Sequence, residues 1–170
     1  MGTIIHSILE RQENIFFCLH DFLGPRRAVY LKLEGLNPAG SVKWKPAKYM
    51  LEDLETRGVI RPGHSKIVES SSGNLGVALA LVCQVKGYPF TCVSDPNANP
   101  AHLDHIRRYG GEVLIVTERD ANGGFLQTRL HLIQQMLRDD PAYVWTNQYA
   151  NPANPEAHAR TTGPEIHRLF

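Results

Sequence analysis

Three lysines crowd the stretch NPAGSVKWKPAKYMLEDLETRG, Asn37 to Gly58, at the point where a loop turns into a helix. Pro46 has no amide hydrogen and suits a first helical turn, so SVKWK reads as a turn or distorted turn ahead of the regular helix. An amine held there and partly desolvated loses preference for its protonated form. It could then form an imine with an aldehyde cofactor. Local chemistry ranks Lys43, Lys45 and Lys48 equally.

Two polar loops could face such an amine. ESSSGNLG presents Ser70 to Asn74 between an apolar strand pattern and an apolar helix pattern. Hydroxyls, a carboxamide and unpaired N–H groups at a helix start suit a carboxylate or phosphate. Simple capping by Ser72 or Asn74 is the plain alternative. TNQYANPANP offers Asn147, Gln148 and Asn151 after another strand pattern, or is a polar loop stiffened by Pro152 and Pro155. His102 and His105 lie one helical turn apart in HLDH, but no further ligands cluster with them, so no metal site is expected. No Gly-Lys-Ser/Thr loop, dinucleotide glycine fingerprint or nucleophile elbow occurs, which sets aside an unrelated nucleotide-binding domain.

The elements that must position these loops follow from periodicity. RAVYLKLE alternates, predicting a strand with Val29, Leu31 and Leu33 inward. Ala47, Met50, Leu51 and Leu54 predict a helix closed by Gly58. KIVES, FTCVS, EVLIVT and AYVWT read as strands. Helices are expected over Asn74 to Lys86, Pro100 to Tyr109 and Phe125 to Arg138, the last with Leu126, Leu130, Ile133 and Leu137 inward. Repeated βα alternation predicts an α/β fold, an open parallel sheet with flanking helices, because parallel neighbours need crossovers. Ligands should then gather beyond the carboxyl ends of the strands.

The 170 residues, 42% hydrophobic and 21% charged, suffice for one compact domain with a real core. A net charge of +1 without a basic stripe gives no reason to expect nucleic acid or an anionic membrane as partner. Cys18, Cys83 and Cys92 lack the spacing of a zinc site or disulfide framework and read as reduced core residues of a cytoplasmic protein. The opening MGTIIHSILERQENIFF has no signal-peptide pattern, and no segment is long and apolar enough to span a bilayer.

The order of NPAGSVK, ESSSGNLGVALA, KGYPFTCVSDPNANPAHLDHIRRYGGEVLIV and NQYANPANPEAHARTTGPEI resembles the cysteine synthase group of pyridoxal-phosphate enzymes, with the tryptophan-synthase-β fold (fold type II). NPAGSVKWKPA and VTERDANGGFLQTRLHLI look most like the N-(2-amino-2-carboxyethyl)-L-glutamate synthases of 2,3-diaminopropionate and siderophore biosynthesis. The resemblance implies pyridoxal 5'-phosphate as cofactor, Lys43 as its Schiff-base lysine and proton carrier, and Asn74 at the ring oxygen. It implies Ser71, Ser72, Gly73 and Gln148 around the amino-acid substrate's carboxylate. The reaction implied is β-replacement on an O-activated L-serine, O-phospho-L-serine in this branch, by the amino group of L-glutamate. The alternative is a cysteine synthase using O-acetylserine and sulfide.

Trp44 and Lys45 replace the Asp-Arg pair common in cysteine synthases, and Leu75 replaces the usual Thr, which argues against plain sulfide chemistry. ENIFF replaces the usual GNTPL and shares only Asn14 with it. The resemblance divides the chain into residues 1–40, a strand region of the larger domain; 41–150, a small mobile α/β domain with its substrate loop; and 151–170, a return into a truncated larger domain. The family continues past TTGPEI into a Gly/Thr-rich phosphate cup that these residues lack. The expectation is therefore the N-terminal portion of a synthase, truncated or one chain of a split enzyme, in a homo-oligomer or with a complementing chain. A catalytically degenerate binding or regulatory subunit is the rival.

Overall fold

A computed structural model describes Ser7, Leu9 and residues 15–170; Asn14 lies outside the described residues. Strands β1 (Phe16–His20) and β2 (Ala28–Lys32) form a separate antiparallel ribbon, with Cys18 opposite Tyr30. The alternation in RAVYLKLE gives β2 correctly, with Val29 and Leu33 half-buried as expected, but Leu31 is not turned inward. Leu31 is 44% exposed, whereas Lys32 turns inward to Glu34 (2.9 Å) and Glu165 (2.8 Å). A two-stranded ribbon has no core of its own. Its inward side is set by what covers it, here two carboxylates rather than an apolar layer.

After a 3-10 turn over Glu34–Leu36 comes α1 (Trp44–Thr56), which buries Ala47, Met50, Leu51 and Leu54 as its periodicity requires. The main sheet contains β3 (Lys66–Ser70), β4 (Phe90–Ser94), β5 (Glu112–Ile115) and β6 (Tyr143–Trp145), in the order β5-β4-β3-β6 with every pair parallel. The connecting helices are α2 (Asn74–Lys86), α3 (Pro100–Arg108) and α4 (Leu126–Asp139), followed by α5 (Ala153–Arg160) and α6 (Thr162–His167).

Alternate strand residues feed two cores. Ile67, Phe90 and Cys92 pack with α1 and α2, while Val68 and Val93 pack with Ile133 of α4. Burying side chains such as Met50, Leu79 or Ile133 contributes about 1.5–3 kcal/mol each. Two glycines make α2 fit. A Cβ at Gly76 would stand 3.0 Å from Cys92 Sγ and from Ile106 Cδ1, so its absence lets the helix lie against its neighbours. Gly87 ends the helix at φ 77°, its N–H reaching the Cys83 and Gln84 carbonyls.

The strand order creates a switch point. The chain runs β3, β4, β5 toward one edge, then returns to place β6 on the other side of β3. The connections after β3 and β6 diverge there, leaving a crevice beyond the strand ends. Large apolar groups stay exposed on and near the ribbon, including Phe22 (68%), Leu23 (59%) and Phe170 (71%), the last edge-on to Tyr30. Among the described residues no helix is long and apolar enough to cross a membrane.

Candidate active site

The cleft at this switch point has a volume of about 220 Å³ and is lined by Lys43, Ser70 to Leu75, Arg129, Gln148 and Tyr149. All six residues expected from the sequence, Lys43, Ser71, Ser72, Gly73, Asn74 and Gln148, therefore come together.

The structure separates the three lysines that local chemistry could not rank. Lys45 Nζ donates to Glu34 (2.9 Å), Glu165 (2.8 Å) and Thr162 (3.1 Å), which uses all three of its N–H groups. Lys48 Nζ donates to the Leu9 carbonyl at 2.9 Å. Lys43 Nζ has no hydrogen-bond or ion-pair partner among the described residues. The Lys43 backbone sits just before α1 with its N–H on Ser41 Oγ (3.3 Å), half-buried at the cleft wall.

The loop after β3 divides its work. Ser71 is buried, and its Oγ accepts from Gly73 N–H (3.3 Å) and Gly76 N–H (3.0 Å). Ser71 therefore caps α2, where capping by Ser72 or Asn74 was the alternative. Its own N–H goes to the Val93 carbonyl at 3.0 Å, so Ser71 shapes the loop more than it faces the cleft. Ser72 and Asn74 are exposed, and the N–H groups of Ser72, Asn74 and Leu75 have no partner among the described residues. These donors, at the positive end of α2, suit a carboxylate. The Asn74 carboxamide is likewise unengaged. His102 Nδ1 is buried without a partner, and a Cβ at Gly73 would stand 3.8 Å from it.

The loop after β6 meets this one. Asn147 takes a left-handed backbone, φ 51°, that turns Gln148 back toward β3. Gln148 Nε2 donates to the Ser70 carbonyl at 2.7 Å, leaving its second N–H and its oxygen available. Beneath both loops lies Glu69, fully buried. Its carboxyl accepts from Ser70 N–H (2.8 Å), Trp145 Nε1 (3.1 Å), Thr146 Oγ1 (2.6 Å) and Gln148 N–H (3.0 Å). Burial pushes its pKa up, against the pull of those donors.

Sequence reasoning missed Arg129. It lies outside the apolar set expected to face inward from α4, yet the fully buried face of that helix carries Arg129 with Ile133, while Leu126 is 36% exposed. Arg129 pairs with Asp95 at 3.3 Å, and its Nε is buried without a partner. The i, i+4 spacing of Arg129 and Ile133 was the available signal. Arg129 also lines an adjoining cavity of about 460 Å³ with Arg119, Asp120 and the Gly123–Gly124 turn.

The cleft fits the reactive side of the expected cofactor: an unengaged amine, a free carboxamide and a row of unpaired N–H donors line it. Neither Gly-Gly pair supplies a phosphate cup there. Gly110–Gly111 makes the turn into β5, and Gly123–Gly124 precedes α4. Cys92 donates to the Ser71 carbonyl and is pushed by burial up to about 12, which makes it an unreactive packing residue. Among the described residues no group of three or more potential metal ligands comes together.

The chain resembles known proteins in sequence and in fold. The chain is 49% identical over 147 residues to an N-(2-amino-2-carboxyethyl)-L-glutamate synthase of Ralstonia nicotianae, covering 86% of this chain and 43% of that protein. A protein of the same description from Cupriavidus metallidurans is 50% identical over 138 residues, covering 81% and 40%. The chain thus spans about two fifths of the length of the curated relatives it matches. Among solved structures, a mutant of O-ureido-L-serine synthase bound to O-ureido-L-serine matches with a TM-score of 0.87 at 30% identity, over 99% of this chain and 51% of that one. A hydrogen sulfide-producing enzyme from Fusobacterium nucleatum matches with a TM-score of 0.89 at 30% identity, over 99% and 54%. Residues 17–170 match the pyridoxal-phosphate dependent enzyme family. The chain belongs to that family, and pyridoxal phosphate is the cofactor its membership implies.

Proposed function

We propose that this chain carries the donor-binding part of a β-replacement synthase joining O-phospho-L-serine to the amino group of L-glutamate. The observation that carries the reading is the pairing, in one cleft, of the unengaged Lys43 amine with the buried Arg129 cation. Bound pyridoxal phosphate supplies an electron sink for charge developing at the donor's α-carbon. The N–H groups of Ser72, Asn74 and Leu75, with the Gln148 amide, hold the donor's carboxylate. Ser71 and Gly73 shape that loop, and the Asn74 carboxamide faces the cofactor ring. Lys43 Nζ takes the proton from the α-carbon. Arg129 stands ready for the leaving group's negative charge, a service that phosphate needs and acetate needs less. This favours the phosphoserine branch over O-acetylserine with sulfide, as does the roughly 50% identity to glutamate synthases of this kind.

We place residues 41–150 in a small mobile domain and the ribbon, with residues 151–170, in a larger one. The exposed Phe22, Leu23 and Phe170 support a covering surface on the ribbon, either from a second copy or from a complementing chain that also brings the phosphate cup. A non-catalytic binding subunit is the competing reading. One experiment addresses both. Pyridoxal phosphate is added to the chain, alone and with candidate complementing chains, and borohydride fixes any lysine adduct for peptide mapping. Labelling at Lys43 is expected, absent in Lys43→Ala. Labelling spread over Lys43, Lys45 and Lys48, or no adduct in any mixture, would remove the enzyme reading.

A further inference from the structure

We infer that Glu69 is a positioning residue that couples the two substrate-gripping loops into one unit. The inference rests on the proposed function for what the loops hold, though the coupling itself is geometric. β3 and β6 are adjacent parallel strands whose following loops have no covalent reason to move together. Glu69 provides one. Its Oε1 takes the N–H of Ser70, the β3 residue from which the first loop departs, and Trp145 Nε1 from β6. Its Oε2 takes Thr146 Oγ1 and Gln148 N–H from the second. Each oxygen thus faces two donors, and no cation pairs with the carboxylate among the described residues. Gln148 Nε2 closes the circuit by donating to the Ser70 carbonyl.

The chemistry is specific to a carboxylate. An amide in place of Glu69 turns an NH2 group toward two donors whichever way it is rotated. The Thr146 hydroxyl can rotate to accept from that group; the Gln148 N–H cannot. With the NH2 at the Oε1 place the Ser70 and Trp145 N–H groups would both be stranded, whereas at the Oε2 place only the Gln148 N–H is, so Glu69→Gln should orphan the Gln148 amide while leaving Lys43, on another element, untouched.

The test uses the full chain with any complementing chain required for the Lys43 adduct. In Glu69→Gln, hydrogen exchange at the Gln148 amide should rise about 10-fold or more, while α1 and α4 amides keep their protection. Adduct formation with pyridoxal phosphate should change less than about twofold. The O-phospho-L-serine concentration that half-displaces Lys43 from the adduct should rise about 10-fold or more. Thr146→Val, nearly isosteric, removes one donor and should shift that concentration in the same direction by less, which covers a Glu69→Gln chain that fails to fold. Unchanged Gln148 exchange, protection lost uniformly across the domain, or donor and adduct changes in equal proportion would overturn the inference. Should wild type form no adduct, the proposed function falls, while the exchange comparison still decides the coupling.

Discussion

Replacing Arg129 separates a packing role from a charge role. Arg129→Met keeps most of the apolar stem and removes the guanidinium. Asp95, 5% exposed, is left with the Asn97 N–H at 2.9 Å but no cation. Breaking one side of a buried pair costs about 3–5 kcal/mol, toward the lower end here because the pair borders the cleft. At about 2–4 °C per kcal/mol for a chain of this size, the melting temperature should fall by about 6–12 °C. Asp95→Asn in the same chain removes the stranded charge and should return most of that loss. The donor effect should not return. A charge-assisted hydrogen bond contributes about 1.5–3 kcal/mol, which is about 10- to 150-fold in affinity. In both variants the half-saturating concentration of O-phospho-L-serine, read at the Lys43 adduct, should rise by that factor while O-acetyl-L-serine changes little. Equal weakening of both donors, or phosphoserine affinity restored together with stability, would refute the phosphate assignment.

Two further outcomes are expected. Gly76→Ala forces a Cβ to 3.0 Å from Cys92 Sγ and Ile106 Cδ1 and 3.3 Å from Ser71 Cβ, so thermal unfolding should show a loss of about 1–3 kcal/mol; no loss would mean that α2 shifts freely. Burial opposes ionisation of Glu34 and Glu165, but Lys32 and Lys45 prevail and hold both carboxyls below their ordinary 4.5. Depressed folded values mean that this stabilisation is complete above about pH 4.5 and fades as pH falls through those values. Hydrogen exchange over residues 153–167 should therefore accelerate on acidification before exchange in α2 does, and simultaneous loss would argue against local anchoring.

The main sheet was legible because buried parallel strands and their helices announce themselves by period and by turn glycines. KIVES and FTCVS match β3 and β4, and the helix from Asn74 to Lys86 has its expected bounds. β1 was not read, since FFCLH lacks alternation, and Leu31 was turned the wrong way because the ribbon's facing depends on distant Glu165. Contacts over long sequence separations explain the other gaps. Local chemistry left Lys43 level with Lys45 and only the resemblance chose between them; the residues that occupy Lys45, Glu165 and Thr162, lie 120 and 117 positions away. Arg129 looked like one more polar position in a helix until Asp95 came beside it. Glu69 looked like a polar residue near the end of a strand, and its four partners lie on either side of the switch point.

The cluster around Lys45 has a consequence for chemoselectivity. A carbonyl compound in this region meets three primary amines within six positions of sequence, yet they are three different reagents. Forming a bond at Lys45 requires breaking three hydrogen bonds, two of them to carboxylates, before a lone pair exists. Among the described residues Lys43 has none to break. The carboxylates that tie the ribbon and α6 to α1 therefore also shield a bystander amine, and leave the neighbouring Lys43 the less encumbered of the two.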